Sequence, residues 1–326
     1  MRAALVREIG GLPEPAETDP PERDSGRALV RIHAVSLNPI DVALAAGKHY
    51  LGPPKTPYVP GSEGVGTVVE AGSSARGTRV YISDDGLGGR GRDGTLAELA
   101  TVAEEEALPL PDGVSDELAV ACGTAGLAGW LPVAWRAEVV PGDRVLVLGC
   151  TGTVGLIAIQ AAKLKGAQRV VAAGRRPERL ETALEVGADA AVRLDDPDLV
   201  AAFRDAFDGH GPSVVIDPLW GRPLETAAEA CAPGARIVQI GQLAGPTATL
   251  ASNIVRGKQL EILGYSNFVV PKELRRAAYA ELVDHAAVGD LRLPLETYPF
   301  ERVADAWKRQ AEGPGAKLVV RVLEEA

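Results

Sequence analysis

In the stretch VLVLGCTGTVGLIAIQAAK (145–163), Gly149, Gly152 and Gly155 surround Cys150. An apolar run breaks into glycines and a second apolar stretch of helical character follows at once. A strand that ends this way and feeds a helix aims unpaired N–H groups and the positive helix end at one spot. A pyrophosphate fits there when the side chains are small enough to let it approach. Gly152, Thr153, Val154 and Gly155 are therefore read as cofactor-binding residues. The rival is a tight turn without a ligand, but the motif stands after a β-like run and before a second one, the context it requires. Cys150 occupies the place where a G-x-G-x-x-G fingerprint would begin. It has no nearby His or acidic partner for a metal and no second thiol for redox work. It reads as a small space-filler, against a reactive thiol favoured by the helix start.

The next chemistry lies at the end of the second strand, in VVAAGRRPERLE. An NAD enzyme usually places Asp or Glu there to accept from the ribose 2′-hydroxyl. Here Gly174 takes that place, and Arg175, Arg176 and Arg179 follow. No carboxylate repels a 2′-phosphate, and three guanidinium groups are available to bind one. A charge-assisted hydrogen bond contributes roughly 1.5–3 kcal/mol, about ten- to a hundredfold in affinity. The expected cofactor is NADPH. The alternative is that these arginines are merely solvated residues at a helix start.

The elements that must hold these residues follow from the rhythm of the chain. RVLVLG (144–149) leads into a helix over roughly 153–165, and RVVAAG (169–174) into PERLETALEVG (177–187) and AAVRL (190–194). SVVID (213–217) leads into GRPLETAAEAC (221–231) and RIVQIG (236–241). Short apolar runs bounded by glycine and alternating with helices indicate parallel strands covered on both faces, a doubly wound α/β domain. The first ~118 residues differ: ALVRIHAVSLN, GVGTVVEAG and TRVYIS are β-prone runs between Pro and Gly clusters, which suggests a largely antiparallel domain. The tract DDGLGGRGRDG (84–94) reads as a mobile surface loop. KELRRAAYAELVDHA (272–286) and ERVADAWKRQ (301–310) read as helices and AKLVVRV (316–322) as a last strand, returning to the first domain.

With 326 residues the chain is long enough for about two domains. A net charge of −10 disfavours nucleic acid or an anionic membrane as partner, since phosphate affinity needs clustered Lys and Arg. The segment MRAALVREIGG carries charges and no long apolar core, so neither a signal peptide nor a membrane span is expected. Cys122, Cys150 and Cys231 form no disulfide framework and no C-x-x-C pair. The expected location is the cytoplasm.

At SLNPIDVALAAGKHY (36–50), PYVPGSEGVGTVVEAG (57–72), CTGTVG (150–155), GRRPERLETALEVGADAAV (174–192) and FERVADAWKRQAEGPGAKLVV (300–320), the sequence resembles the medium-chain dehydrogenase/reductase superfamily. Within it the likeness is to the zinc-independent, quinone oxidoreductase-like branch. The resemblance implies a GroES-like β domain over 1–118 and 268–326 and a Rossmann domain over 119–267. It also implies a homodimer paired through the edge strand around GKQLEILGY. In the zinc-dependent branch a cysteine ligand sits near Asn38 to Asp41, and a His-Glu pair stands where this chain has Ser62-Glu63; neither the cysteine nor the histidine is present. Cys122 lies near the third ligand region without partners, so no metal is expected. The resemblance places Gly241, Gln242, Leu263 and Gly264 next to the nicotinamide carboxamide. Ala128 departs from the threonine usual at its position.

Hydride transfer to a simple ketone leaves an alkoxide, which needs a metal or a strong acid beside it. A quinone, enone or enoyl thioester carries its own electron sink, and the protein mainly positions the partners. Asn38 is the candidate to hydrogen-bond near the nicotinamide or the substrate. Asp41 is a candidate that more simply braces the loop, and Tyr50 either donates a proton or lines the pocket. Trp220 walls the cleft or packs in the core. The expected activity is NADPH-dependent reduction of a small activated acceptor. One rival is reduction of an iminium, favoured by an acidic pocket involving Asp41 or Glu63. Another is an NADPH-binding sensor or structural protein with incidental turnover.

Overall fold

The computed structural model describes residues 1–49, 52–73, 75–83, 86 and 88–323. Strand β1 (Arg2–Leu5) pairs antiparallel with β2 (Glu14–Glu17), a short ribbon that Pro15 confines to an edge. The next elements are β3 (Arg27–Ser36), α1 (Pro39–Ala45), β4 (Glu63–Glu70) and β5 (Arg79–Ser83). They are followed by β6 (Leu99–Ala103), β7 (Ala107–Pro109) and α2 (Asp116–Ala121). The register of β3 against β4 slips between Ile32 and Ala34, a bulge that turns His33 toward Asp116 (2.8 Å) and Thr67 (3.1 Å). The expectation of a mobile loop over 84–94 meets a different picture at its described end. Asp93 accepts from the Val59 N–H at 2.8 Å, Gly94 donates to the Val59 carbonyl at 2.7 Å, and a side chain at Gly94 would strike the Gly61 carbonyl. Gly88, Gly89 and Gly94 serve close packing, whereas Gly91 stands open.

After α3 (Thr124–Leu131) the rhythm read from the sequence appears as β8 (Arg144–Leu148), α4 (Thr153–Leu164), β9 (Arg169–Gly174), α5 (Pro177–Glu185), β10 (Ala190–Arg193) and α6 (Leu199–Asp205). It continues with β11 (Val214–Asp217), α7 (Gly221–Ala230), β12 (Arg236–Gln239), α8 (Ser252–Gly257) and β13 (Glu261–Gly264). The six strands lie parallel in the order β10-β9-β8-β11-β12-β13. Val145 to Leu148 and Val170 to Ala173 are fully buried, as strands covered on both faces must be. This is the doubly wound sheet.

The chain ends with α9 (Lys272–Ala287), β14 (Leu295–Pro299), α10 (Val303–Ala311) and β15 (Lys317–Arg321). Strand β15 joins the first sheet, whose order is β14-β15-β3-β4-β5-β7 with β6 also on β3. Two compact units result: Met1–Ala125, Tyr279–Asp290 and Pro294–Ala326 form one, and Gly126–Ala278 with Leu291–Leu293 the other. Each has its own apolar core, one between the mostly antiparallel sheet and α10, the other between the parallel sheet and α6 and α7. Among the described residues no helix is long and apolar enough to cross a membrane.

Candidate functional site

In the parallel sheet the chain runs outward from β8 through β9 and β10, then returns to β11 on the other side of β8. The carboxyl ends of β8 and β11 therefore flank a topological switch point, where open α/β sheets bind ligands. Gly149 leaves β8 at φ +61°, in the left-handed region, and any Cβ there would meet Leu219 at 2.9 Å. A Cβ on Gly155 would stand 2.5 Å from Cys150 Cα and 2.8 Å from the Gly149 carbonyl oxygen, so helix and turn touch backbone to backbone. Gly152 caps α4 in extended conformation, and a Cβ built there meets nothing within 4 Å. Space is thus open where a ligand would reach the first N–H groups of α4, those of Thr153, Val154 and Gly155.

Cys150 lies fully buried beneath this turn, and burial pushes its thiol up to about 12. It packs toward Gly174: a Cβ on Gly174 would stand 3.3 Å from Cys150 Sγ and 2.7 Å from Thr151 Cγ2. Gly174 is thus fixed by packing against the Cys150–Thr151 turn, a reason beyond the missing carboxylate. Arg175 and Arg176 are exposed, Arg176 as the N-cap of α5, and Arg179 is half-buried in the first turn of that helix. Gly241 is held against the Pro218 carbonyl, and its own carbonyl accepts from Gln239 at 2.8 Å. Gln242 is exposed, Leu263 half-buried, and the exposed Gly264 gives its carbonyl to Arg136 at 3.0 Å.

Asp217, which closes β11 at the same switch point, escaped the sequence analysis. It is fully buried; Oδ1 accepts from the N–H groups of Leu219 and Trp220, both at 2.9 Å, while Oδ2 has no partner among the described residues. Burial pushes the carboxyl up to about 6 against those two bonds. The bonds hold Trp220 at φ +58°, a costly conformation for a bulky residue. Trp220 is half-buried and packs against the core of its unit. An Asp directly after the apolar run VVI was the only signal in the sequence.

The other unit gathers a buried polar cluster. Glu63 on β4 is fully enclosed. Its Oε1 accepts from Ser36 Oγ and, at 2.7 Å, from Asn38 Nδ2; its Oε2 accepts from Tyr81 OH at 2.7 Å and the Thr124 N–H at 2.6 Å. Lys317 on β15 approaches the same carboxylate at 3.9 Å and donates to the Leu37 carbonyl at 3.0 Å and Asn38 Oδ1 at 2.5 Å. A carboxylate and an ammonium out of water are costly unless well hydrogen-bonded; here the carboxylate accepts four hydrogen bonds and the ammonium donates two. Asp41, in the first turn of α1, accepts from the Asn38 N–H at 2.8 Å and the Ser62 N–H at 3.1 Å, tying the two segments together. Burial lifts its carboxyl to about 6, with Glu63 adding to the rise.

The cluster brings Asn38 and Asp41 together; Tyr50 lies outside the described residues. Neither Asp41 nor Glu63 is a free surface carboxylate, so the acidic pocket that would favour an iminium is not formed by them. His33 is engaged by Asp116 and Thr67, and His285 by Asp290 at 3.0 Å. Among the described residues no three His, Cys, Asp or Glu stand close enough to hold a metal.

Comparison with known proteins adds a second line of observation. A family model described as alcohol dehydrogenase GroES-like domain matches residues 24–112, and one described as zinc-binding dehydrogenase matches 153–285. A quinone oxidoreductase of Pseudomonas aeruginosa is 31% identical over 245 residues, which cover 75% of this chain and 72% of the relative. The crystal structure of the quinone oxidoreductase from Thermus thermophilus, also described in complex with NADPH, is 28% identical. It superposes with a TM-score of 0.78 over 98% of this chain and 100% of its own. A structure described as an NAD-dependent alcohol dehydrogenase, also 28% identical, superposes with a TM-score of 0.87 over 98% of this chain and 99% of its own.

Proposed function

We propose, because the chain belongs to the medium-chain dehydrogenase/reductase superfamily in its quinone oxidoreductase-like branch, that this oxidoreductase uses NADPH to reduce a quinone, an enone or an enoyl-type C=C without a metal. The observation that carries the cofactor choice is the end of β9. Gly174 cannot be exchanged for an acid without displacing Thr151, and Arg175 and Arg176 stand exposed just beyond it. The similar structures include both an NADPH complex and an NAD-dependent enzyme, so these residues of the chain itself decide the proposal.

Gly152, Thr153, Val154 and Gly155 hold the pyrophosphate, the three arginines the 2′-phosphate, and Gly241, Gln242, Leu263 and Gly264 border the nicotinamide. Bound NADPH supplies a hydride. The chain positions the acceptor, keeps water from it, and offers Asn38 as a polar contact, with Asp41 as brace and Tyr50 as pocket wall or proton donor. Metal independence rests on the donor set. Where zinc would need three ligands, Asn38 gives its oxygen to an ammonium, Ser62 offers a hydroxyl, and burial pushes the Cys122 thiol up to about 12. A cation placed against Lys317 would be repelled. The residues present do not fit zinc.

A homodimer through β13 completes the proposal: it is the edge of the parallel sheet, with Ile262 exposed and no proline in the strand. A cytoplasmic setting fits the three free, buried thiols. The test is an acceptor panel (quinone, enone, enoyl thioester, cyclic iminium) run with NADPH and with NADH. Turnover of the conjugated acceptors with NADPH is expected, and replacing Arg175, Arg176 and Arg179 together with serine should erase the preference for NADPH. An unchanged NADPH/NADH ratio would overturn the cofactor assignment. Tight NADPH binding with no turnover would leave a binding protein.

A further inference from the structure

We infer that Lys317 is a positioning residue of the reduction: it holds the Asn38 amide so that Asn38 meets the acceptor only as a hydrogen-bond donor. This rests on the proposed function, in which Asn38 stands at the acceptor. An ammonium can only donate and a carboxylate can only accept. The Asn38 oxygen must therefore face Lys317 Nζ, and its NH₂ must face Glu63 Oε1. A flipped amide would set N–H against ammonium and oxygen against carboxylate inside a buried cluster. Lys317 has no freedom to turn away, since it is itself buried and bonded to the Leu37 carbonyl. One Asn38 N–H remains without a partner among the described residues, and it is the amide's N–H edge, not its oxygen, that is left for a ligand.

That asymmetry selects a substrate class. When hydride adds to the β-carbon of an enone, quinone or enoyl thioester, a C–H bond forms and the C=C π bond breaks. Its electron pair moves to the carbonyl oxygen, and a proton then completes the product. A fixed N–H aimed at that oxygen is strongest where the charge develops. An iminium has no such oxygen and loses its positive charge as hydride adds, so a donor beside it opposes binding and gains nothing at the transition state. Lys317, 279 residues from Asn38 along the chain, thereby fits the site to oxygen-bearing conjugated acceptors.

The test is a double-mutant cycle on the full chain, with Lys317→Met, Asn38→Ala and the pair. Turnover of 2-cyclohexen-1-one with NADPH is measured, together with NADPH affinity and, by calorimetry, binding of the enone to the enzyme with NADP⁺. Removing a donor from a developing oxyanion costs about 100-fold in kcat. Asn38→Ala should lose about that, Lys317→Met about tenfold, and the pair no more than Asn38→Ala alone. NADPH affinity should stay within about twofold while enone binding weakens in each variant. Lys317→Arg, which keeps the donor, should recover most of kcat. Losses that multiply, or a change confined to NADPH affinity, would overturn the inference. Should Lys317→Met not fold, Lys317→Leu, which likewise offers no donor, enters the same cycle under the same criterion. Absence of turnover in the unmodified enzyme would instead refute the proposed function and take this inference with it.

Discussion

Asp217→Asn should make the protein more stable, by an amount that grows as pH rises from about 4 to about 6 and holds above that. Burial raises the Asp217 carboxyl from 3.8 to about 6 because one of its oxygens has no partner among the described residues. At about 1.4 kcal/mol per pKa unit, keeping the group ionised in the folded chain costs about 3 kcal/mol. The folded-state pKa lies above the unfolded one, so the stability tied to the proton is complete below about pH 4 and is lost as pH rises through about 6. Asparagine cannot ionise, yet its Oδ1 still accepts from Leu219 and Trp220 and so still holds the strained turn. Near pH 4 the variant and the parent should therefore match, and by pH 8 the variant should lead by about 2–3 kcal/mol. The assay is urea unfolding at pH 4, 6 and 8, followed by tryptophan fluorescence, with the m-value checked for constancy. Asp41 titrates in the same window in both proteins and cancels from the difference. A difference that stays constant across pH, or a less stable variant at pH 8, would refute an unpartnered buried carboxylate.

Three further outcomes follow from the same geometry. Gly152→Ala, with nothing within 4 Å of the new methyl, should leave the unfolding midpoint within about 0.5 kcal/mol yet weaken NADPH binding by equilibrium titration; unchanged affinity would remove the phosphate role of the turn. Gly155→Ala drives a methyl onto backbone atoms 2.5 Å away and should cost about 1–3 kcal/mol in denaturant unfolding as well as cofactor affinity. Cys150, its thiol pushed up to about 12 by burial, should resist iodoacetamide in the folded protein at pH 7.5 and react only on unfolding, as read by mass spectrometry; ready labelling of the native chain would revive the nucleophile.

What could be read from the sequence was what repeats or sits in local order. The strand–turn–helix units of the parallel sheet declare themselves through apolar runs and glycines, and β8, α4, β9 and α5 lie where that rhythm puts them. Arg175 and Arg176 were legible for the same reason, being neighbours of a strand end. The polar cluster has no such signature. Glu63, Asn38 and Lys317 come from three separate segments, and only the pairing of β15 with β3 brings the lysine to the others. Their roles depend on which lone pairs and hydrogens remain after mutual satisfaction, a property of the folded arrangement alone. Asp41 and Glu63 read as possible faces of an acidic pocket because an acid in a polar stretch looks solvated; burial and backbone donors make them internal ties. Gly174 carried two meanings, of which sequence offers only one: the absent carboxylate is visible in the letters, while the contact with Thr151 that forbids its return is visible only in space. The proposed preference for NADPH thus rests on packing of the Cys150–Thr151 turn as much as on charge, and restoring an acid at that strand end would have to rebuild the turn before it could recruit NAD.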